Sequence, residues 1–145
     1  MEIYTTGFTK KSARQFFSEL SDHRIRRLVD VRINNTSQLS AFAKRDDLEF
    51  FLEELVGAEY VHEPRLAPTP DLLKSYRSGE LSWIEYERRF LDLMVQRKIE
   101  SQIPPELFAV PTVLLCSELK ADKCHRRLVV GYLADHWDGI TAVHI

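Results

Sequence analysis

The sequence predicts a single-domain α/β fold, spanning residues 1–145, with a mostly parallel sheet of about five strands and helices on both faces. Three observations predict it. Short apolar runs alternate with amphipathic stretches along nearly the whole chain, the pattern of strands joined by crossover helices. The run "TVLLC" (112–116) is apolar on both alternating faces, as a strand covered on both sides of a parallel sheet must be. A chain of 145 residues, 44% of them apolar, is the size of one domain built on one core.

The elements follow in order. "MEIYTTG" reads as the first strand, ending at Gly7; Thr9 then caps a helix that carries Ala13, Phe16, Phe17 and Leu20 on one face. "IRRLVDV" (25–31) is a second strand that stops in the turn-rich "RINNTSQ". Asp46 or Asp47 caps the next helix, in which Leu48, Phe51, Leu52 and Leu55 share a face and Gly57 marks the end. "AEYVHEP" is a weaker strand. Thr69 with Pro70 opens a short helix reaching about Gly79. Ser82 and Glu85 form an S-x-x-E capping box for a helix lined by Trp83, Tyr86, Phe90, Leu93 and Met94. After the proline-punctuated "IPPELFAVP" come "TVLLC", a helix from near Asp122 to about Trp137, and a last strand, "ITAVHI". The arrangement is Rossmann-like, and the carboxyl ends of its parallel strands share the edge where such sheets place their ligands.

Charge and leader signals narrow the function classes. Twenty Lys+Arg against 22 Asp+Glu give a formal charge of −2, so no global positive field draws the chain to nucleic acid or anionic lipid, and any basic surface is local. The opening residues lack a signal-peptide pattern, and no apolar run approaches the ~18 residues of a membrane span. A cytoplasmic protein with no membrane partner is therefore expected, and its two cysteines are expected to be thiols.

The carboxyl edge gathers Thr5, Thr6 and Gly7 after the first strand, Asp30 and Arg32 after the second, His62 and Arg65 near the third, and Cys116 to Arg126 after the fourth. In "LLCSELKADKCHRRLVVGYL" (114–133), Cys116 ends a strand while Cys124, His125 and Arg126 fall in the first turn of a helix. Backbone N–H groups and the dipole there favour an anion, and Arg126 adds a bidentate donor. An anion pocket is the reading with the fewest assumptions. A thiol nucleophile is a second, although a phosphatase- or rhodanese-like loop places arginine six residues after the cysteine, where this chain has Asp122. Metal binding by Cys116, Cys124 and His125 is a third, but C-x7-C-H is not a compact zinc spacing, so no metal and no cofactor is expected. Asp30 and Glu118 could act as acid, base or nucleophile. Arg32 could equally serve as a structural partner of Asp30.

The motifs "YTTGFT", "LVDVR" with Ser37 following, "EPRL" after Tyr60, and "LLCSE…KCHRRLVVGYL" before "AVHI" resemble, in order, the domain of unknown function 488 family. The resemblance covers essentially the whole chain. It implies a small α/β domain and points to Asp30, Arg32, Ser37, Cys116, Glu118, Cys124, His125 and Arg126 as motif positions, without assigning them roles. The chain departs from the pattern in "DVRINNTS", which lacks a proline, and in "RLAPT", where relatives carry Leu-Gly-Gly.

The expectation is a small enzyme acting on an anionic ligand, a phosphate-bearing small molecule, nucleotide or nucleic acid, at the carboxyl edge. Asp30, Cys116, Glu118, Cys124 and His125 are its candidate catalytic residues, and Thr6, Gly7, Arg32, Ser37 and Arg126 its candidate ligand-binding residues. The alternative is a non-catalytic module that binds nucleic acid or protein at the same edge.

Overall fold

A computed structural model of the chain describes residues 1–36, 41–117 and 123–145. Strands β1 (Glu2–Gly7), β2 (Arg27–Asp30), β3 (Glu59–His62), β4 (Thr112–Cys116) and β5 (Thr141–His144) form one sheet in the order β3-β2-β4-β1-β5. Every pairing is parallel, so the sheet is parallel throughout. The connections explain why: each link between successive strands carries at least one helix, and parallel strands require such crossovers.

The helix starts follow from local side chains. Helix α1 (Ala13–Asp22) is capped by Ser12, whose hydroxyl accepts from Gln15 N at 3.1 Å. Thr9, the expected cap, instead donates its hydroxyl to Ser117 O and ties the loop after β1 to the loop after β4. Asp46 and Asp47 lie in the first turn of α2 (Arg45–Leu55) rather than at its cap, where their charges meet the positive end of the dipole. Thr69 caps α3 (Pro70–Arg77) and Ser82 caps α4 (Trp83–Arg97), each through its hydroxyl, as the sequence predicts. Lys98, with φ 54° and ψ 48°, turns the chain out of α4 into the four-residue α5 (Ile99–Gln102), a segment to which the sequence pattern assigns no element. Helix α6 (His125–His136) starts later than expected, with Cys124 as its cap. No helix among the described residues is long and apolar enough to cross a membrane.

The sheet is covered on both sides. Phe16, Phe17 and Leu20 of α1 and Leu48 and Leu52 of α2 pack with Leu28, Val113 and Leu115 on one face. Tyr86, Phe90 and Met94 of α4 and Leu128, Val129 and Leu133 of α6 pack with Ile3, Val29 and Leu114 on the other. Alternation along β4 thus sends Val113 and Leu115 one way and Leu114 and Cys116 the other, which accounts for five consecutive buried residues. Helix α6 buries seven of its twelve residues because it lies against the sheet and also contacts α4 and α5.

This layering positions the site. The helix after β2 lies on one face and the helix after β4 on the other, although β2 and β4 are neighbours in the sheet. Their outgoing loops diverge and leave a crevice at the carboxyl edge. The packing also makes a test of the core. Phe90→Ala should cost about 3–5 kcal/mol in denaturant unfolding, because Phe90 is fully buried between sheet and helices. Ile84→Ala on the same helix should stay within about 0.5 kcal/mol, since Ile84 is 76% exposed.

Candidate functional site

The end of β2 is organised by Asp30, whose side chain is completely buried. Arg32 binds it in a fork, Nε to Oδ1 and Nη2 to Oδ2, both at 2.8 Å, and the Arg32 backbone N–H adds a third bond to Oδ1 at 3.1 Å. Tyr60 on β3 donates its hydroxyl to Oδ2 at 2.6 Å, and Asn35 reaches both that oxygen and Tyr60. Burial first, and then the bond to Asp30, hold the Tyr60 hydroxyl well above the usual phenol range, so it remains a donor. His62 makes a bond with Arg32 O at 2.9 Å, and the Arg32 guanidinium lies over the Phe8 ring, 5.3 Å from its centroid. Arg32 is itself 3% exposed, and its Nη1 has no hydrogen-bond partner among the described residues. Asp30 is therefore a saturated anchor, and Arg32 is a fixed cation with one donor unspent.

The second half of the site joins β4 to α6. Cys116 is the last residue of β4, and Cys124 is the extended cap residue of α6, with φ −135° and ψ 142°. That conformation turns Cys124 back toward the strand end, and the two cysteines are joined by a disulfide. The expectation of two free thiols is corrected accordingly: the turn between strand and helix brings together two sulfurs that the sequence placed on separate elements. Their Cα atoms stand 7.5 Å apart. Beside them, His125 is buried, with Nε2 2.8 Å from Val31 O and Nδ1 3.9 Å from Cys116 Sγ. A carbonyl can only accept, so Nε2 carries the proton and Nδ1 presents its lone pair toward the sulfurs. Burial above all, with the charges of Arg126 and Arg77, pushes His125 down to about 4 against the opposing bond to Val31, and the ring is neutral at pH 7.

Between these halves lies a cavity of about 200 Å³ at the crevice between the β2 and β4 loops. Arg32, Arg77 and Lys123 supply its charge, Tyr76 and Tyr86 an aromatic wall, and Cys116, Cys124 and His125 its floor. No described carboxylate lines it. The aromatic wall continues beyond the cavity, with Tyr76 4.7 Å from Tyr86 and Trp83 stacked on Tyr86 at 5.5 Å.

The structure thus brings together Arg32, Cys116, Cys124 and His125 of the residues expected from sequence, with Asp30 directly behind Arg32. Arg126 is 1% exposed and lies in the first turn of α6 without lining the cavity. Thr6 is buried, receives a bond from Lys11 Nζ at 3.1 Å, and like Gly7 is not part of the cavity wall. Arg65 is engaged by Glu63 through two bonds, at 2.8 and 2.9 Å. Ser37 and Glu118 fall outside the described residues. The sequence reading missed Arg77 and Tyr76, which arrive from the crossover after β3 and carry no local signal of their role. Lys123 stands next to Cys124 in the sequence but was not among the expected binding residues.

Comparison with known proteins agrees in scope. Residues 12–133 match the model of a family described as Domain of unknown function DUF488. No curated protein and no solved structure matches.

Two outcomes follow from the geometry. Asp30→Ala should cost about 3–5 kcal/mol in chemical denaturation because it leaves the Arg32 charge buried and unpaired, whereas the double change Asp30→Ala with Arg32→Met should cost less than the single one. His125 has its folded pKa below its unfolded one, so the unfolded chain takes up the proton first as pH falls. Its contribution is full above about pH 6.5 and is lost by about pH 4, a difference of about 3 kcal/mol. Urea titrations between pH 7 and pH 4 should show that slope in the disulfide-bonded protein and a shallower one in His125→Asn.

Proposed function

The chain belongs to the DUF488 family, and from the chemistry of its cavity we propose that it is a small enzyme acting on an anionic, phosphate-bearing ligand at the carboxyl edge of the sheet. One observation carries the reading. Three cations, Arg32, Arg77 and Lys123, line a cavity with no described carboxylate, and the buried Nη1 of Arg32 has no hydrogen-bond partner among the described residues. An orphaned guanidinium donor in a cationic hollow is suited to a phosphate oxygen.

Size limits what is enclosed. At about 200 Å³ the hollow is smaller than the ~300–1,000 Å³ pockets that swallow a whole drug-sized ligand, so it accepts the anionic group and leaves the remainder outside. The half-buried Tyr76–Trp83 pair offers an aromatic surface for that remainder, such as a nucleotide base.

In this reading Arg32 is the positioning cation, held by Asp30 so that no reorganisation is needed when charge develops on the ligand. Arg77 and Lys123 are exposed and close over the anion from the rim. Asp30 is committed to Arg32, and His125 with a pKa near 4 holds little proton at pH 7. The proposal therefore gives proton transfer to Glu118, which falls in sequence between β4 and α6. A cytoplasmic setting belongs to the same proposal; a reducing compartment would open the Cys116–Cys124 disulfide to two thiols.

Binding of inorganic phosphate or pyrophosphate, followed by calorimetry or amide chemical shifts, tests the site. Arg77→Ala and Lys123→Ala should each weaken it about tenfold, the loss of one charge-assisted bond, without changing Tm. The affinity should also fall with added salt. Unchanged affinity in the double variant would sink the anion site. Glu118→Gln should keep phosphate binding and lose turnover of nucleotide phosphoesters. Binding without any turnover in the unmodified chain would transfer the reading to a non-catalytic module.

A further inference from the structure

We propose that the reduced chain binds one thiophilic divalent cation of the zinc type through Cys116 Sγ, Cys124 Sγ and His125 Nδ1, with its fourth coordination position open to the cavity. The three ligand atoms lie within 4.8 Å of one another and all three residues are buried, near enough to share a centre at ~2.0–2.3 Å.

Two objections stand against this set, its loose sequence spacing and the divergence of neighbouring helical residues, and the fold removes both. The ligands do not need a compact motif, because a strand end and the following helix start close the turn between them. Adjacent helical residues diverge by about a third of a turn, but Cys124 is not helical. As the extended cap residue it turns back across the helix start while His125 opens the helix.

The surroundings are those of a ligand set. A backbone carbonyl, Val31 O, fixes the His125 ring through Nε2 at 2.8 Å, the outer-shell contact that orients a ligating histidine and leaves Nδ1 for the metal. The cysteine Cα atoms, 7.5 Å apart, are set wider than the ~4.4–6.8 Å usual for a disulfide. Two sulfurs on a tetrahedral ion sit ~3.8 Å apart, a span that wide-set Cα atoms accommodate.

Charge decides the form of the site. Two thiolates neutralise a divalent ion, and Arg32, Arg77 and Lys123 stabilise those thiolates before the ion arrives. The same cations then draw an anion, not a fourth protein group, to the open position. Among the described residues no fourth histidine, cysteine or carboxylate joins the cluster, which matches an open site and not a closed structural one.

The disulfide and the metal exclude each other. A dithiol reductant delivers two electrons and two protons to the Sγ–Sγ bond, giving two thiols and the oxidised dithiol; the ion then displaces the two thiol protons. The site needs no phosphate ligand, so it can fail or hold independently of the anion reading.

The experiment titrates Co²⁺ into the dithiol-reduced full chain, with the reductant removed under nitrogen. One equivalent should produce a thiolate-to-cobalt charge-transfer band and tetrahedral visible bands, and Zn²⁺ should displace it. Cys124→Ser and the oxidised chain should bind at least 100-fold more weakly. Stoichiometric Zn²⁺ should also slow alkylation of both thiols in the unmodified chain, a readout that needs no variant to fold. The proposal is overturned if reduced protein with native circular dichroism gives neither the charge-transfer band nor thiol protection. Equal cobalt affinity in a folded Cys124→Ser would overturn it as well.

Discussion

A fully buried carboxylate at the end of β2 is the constraint on which the functional edge depends. Removing a carboxylate from water costs several kcal/mol even after relaxation, and the cost is offset only if every lone pair finds a donor. Asp30 meets that demand with donors from three places: the Arg32 side chain and backbone, Asn35 in the following loop, and Tyr60 on the next strand. Satisfying one side chain therefore locks the β2 loop to β3. It also fixes Arg32, whose other side meets Phe8 from the loop after β1. Because the fork uses Nε and Nη2, the third guanidinium nitrogen is left without a partner among the described residues, on a side chain that lines the cavity.

The legible parts of the sequence were those set by local physics. Strand–helix alternation follows from hydrophobic period, and Thr69 and Ser82 are caps because nothing else competes for their hydroxyls. Thr9 and Ser12 show the limit. Both offer a hydroxyl before the same helix, and the choice between them is made by Ser117 O, a carbonyl more than a hundred residues away that takes the Thr9 hydroxyl. Strand order was beyond reach for the same reason, since helical crossovers of similar length permit several neighbours for β4.

The site divides along the same line. Asp30 and Arg32 are two residues apart on one strand end, so their pairing was open to a sequence reading. Arg77 and Tyr76 reach the cavity only because α3 packs with α4 under the loops of β2 and β4, a relation with no local trace. Cys124 was misplaced by a single position: as a first-turn helical residue it would point away from Cys116, and as the extended cap it meets it.

A chain with a formal charge of −2 still builds a positive hollow, because charges farther apart than the ~8–10 Å Debye length scarcely sense one another. What matters is where the acids are spent. Glu59 pairs with Arg27, Glu63 with Arg65, Glu19 with Lys11 and Glu87 with Arg127. Asp30 neutralises part of Arg32 from behind and presents no oxygen to the cavity wall. The remaining field acts on whatever stands at the floor. On the proposed reading it would hold an incoming phosphate and would also favour a thiolate, so anion binding and the state of Cys116 and Cys124 would draw on one set of cations. With the sulfurs joined they carry no charge, and the field is directed wholly at a ligand. With the sulfurs reduced, any thiolate would compete with that ligand, and a divalent cation between the sulfurs would offset the competition.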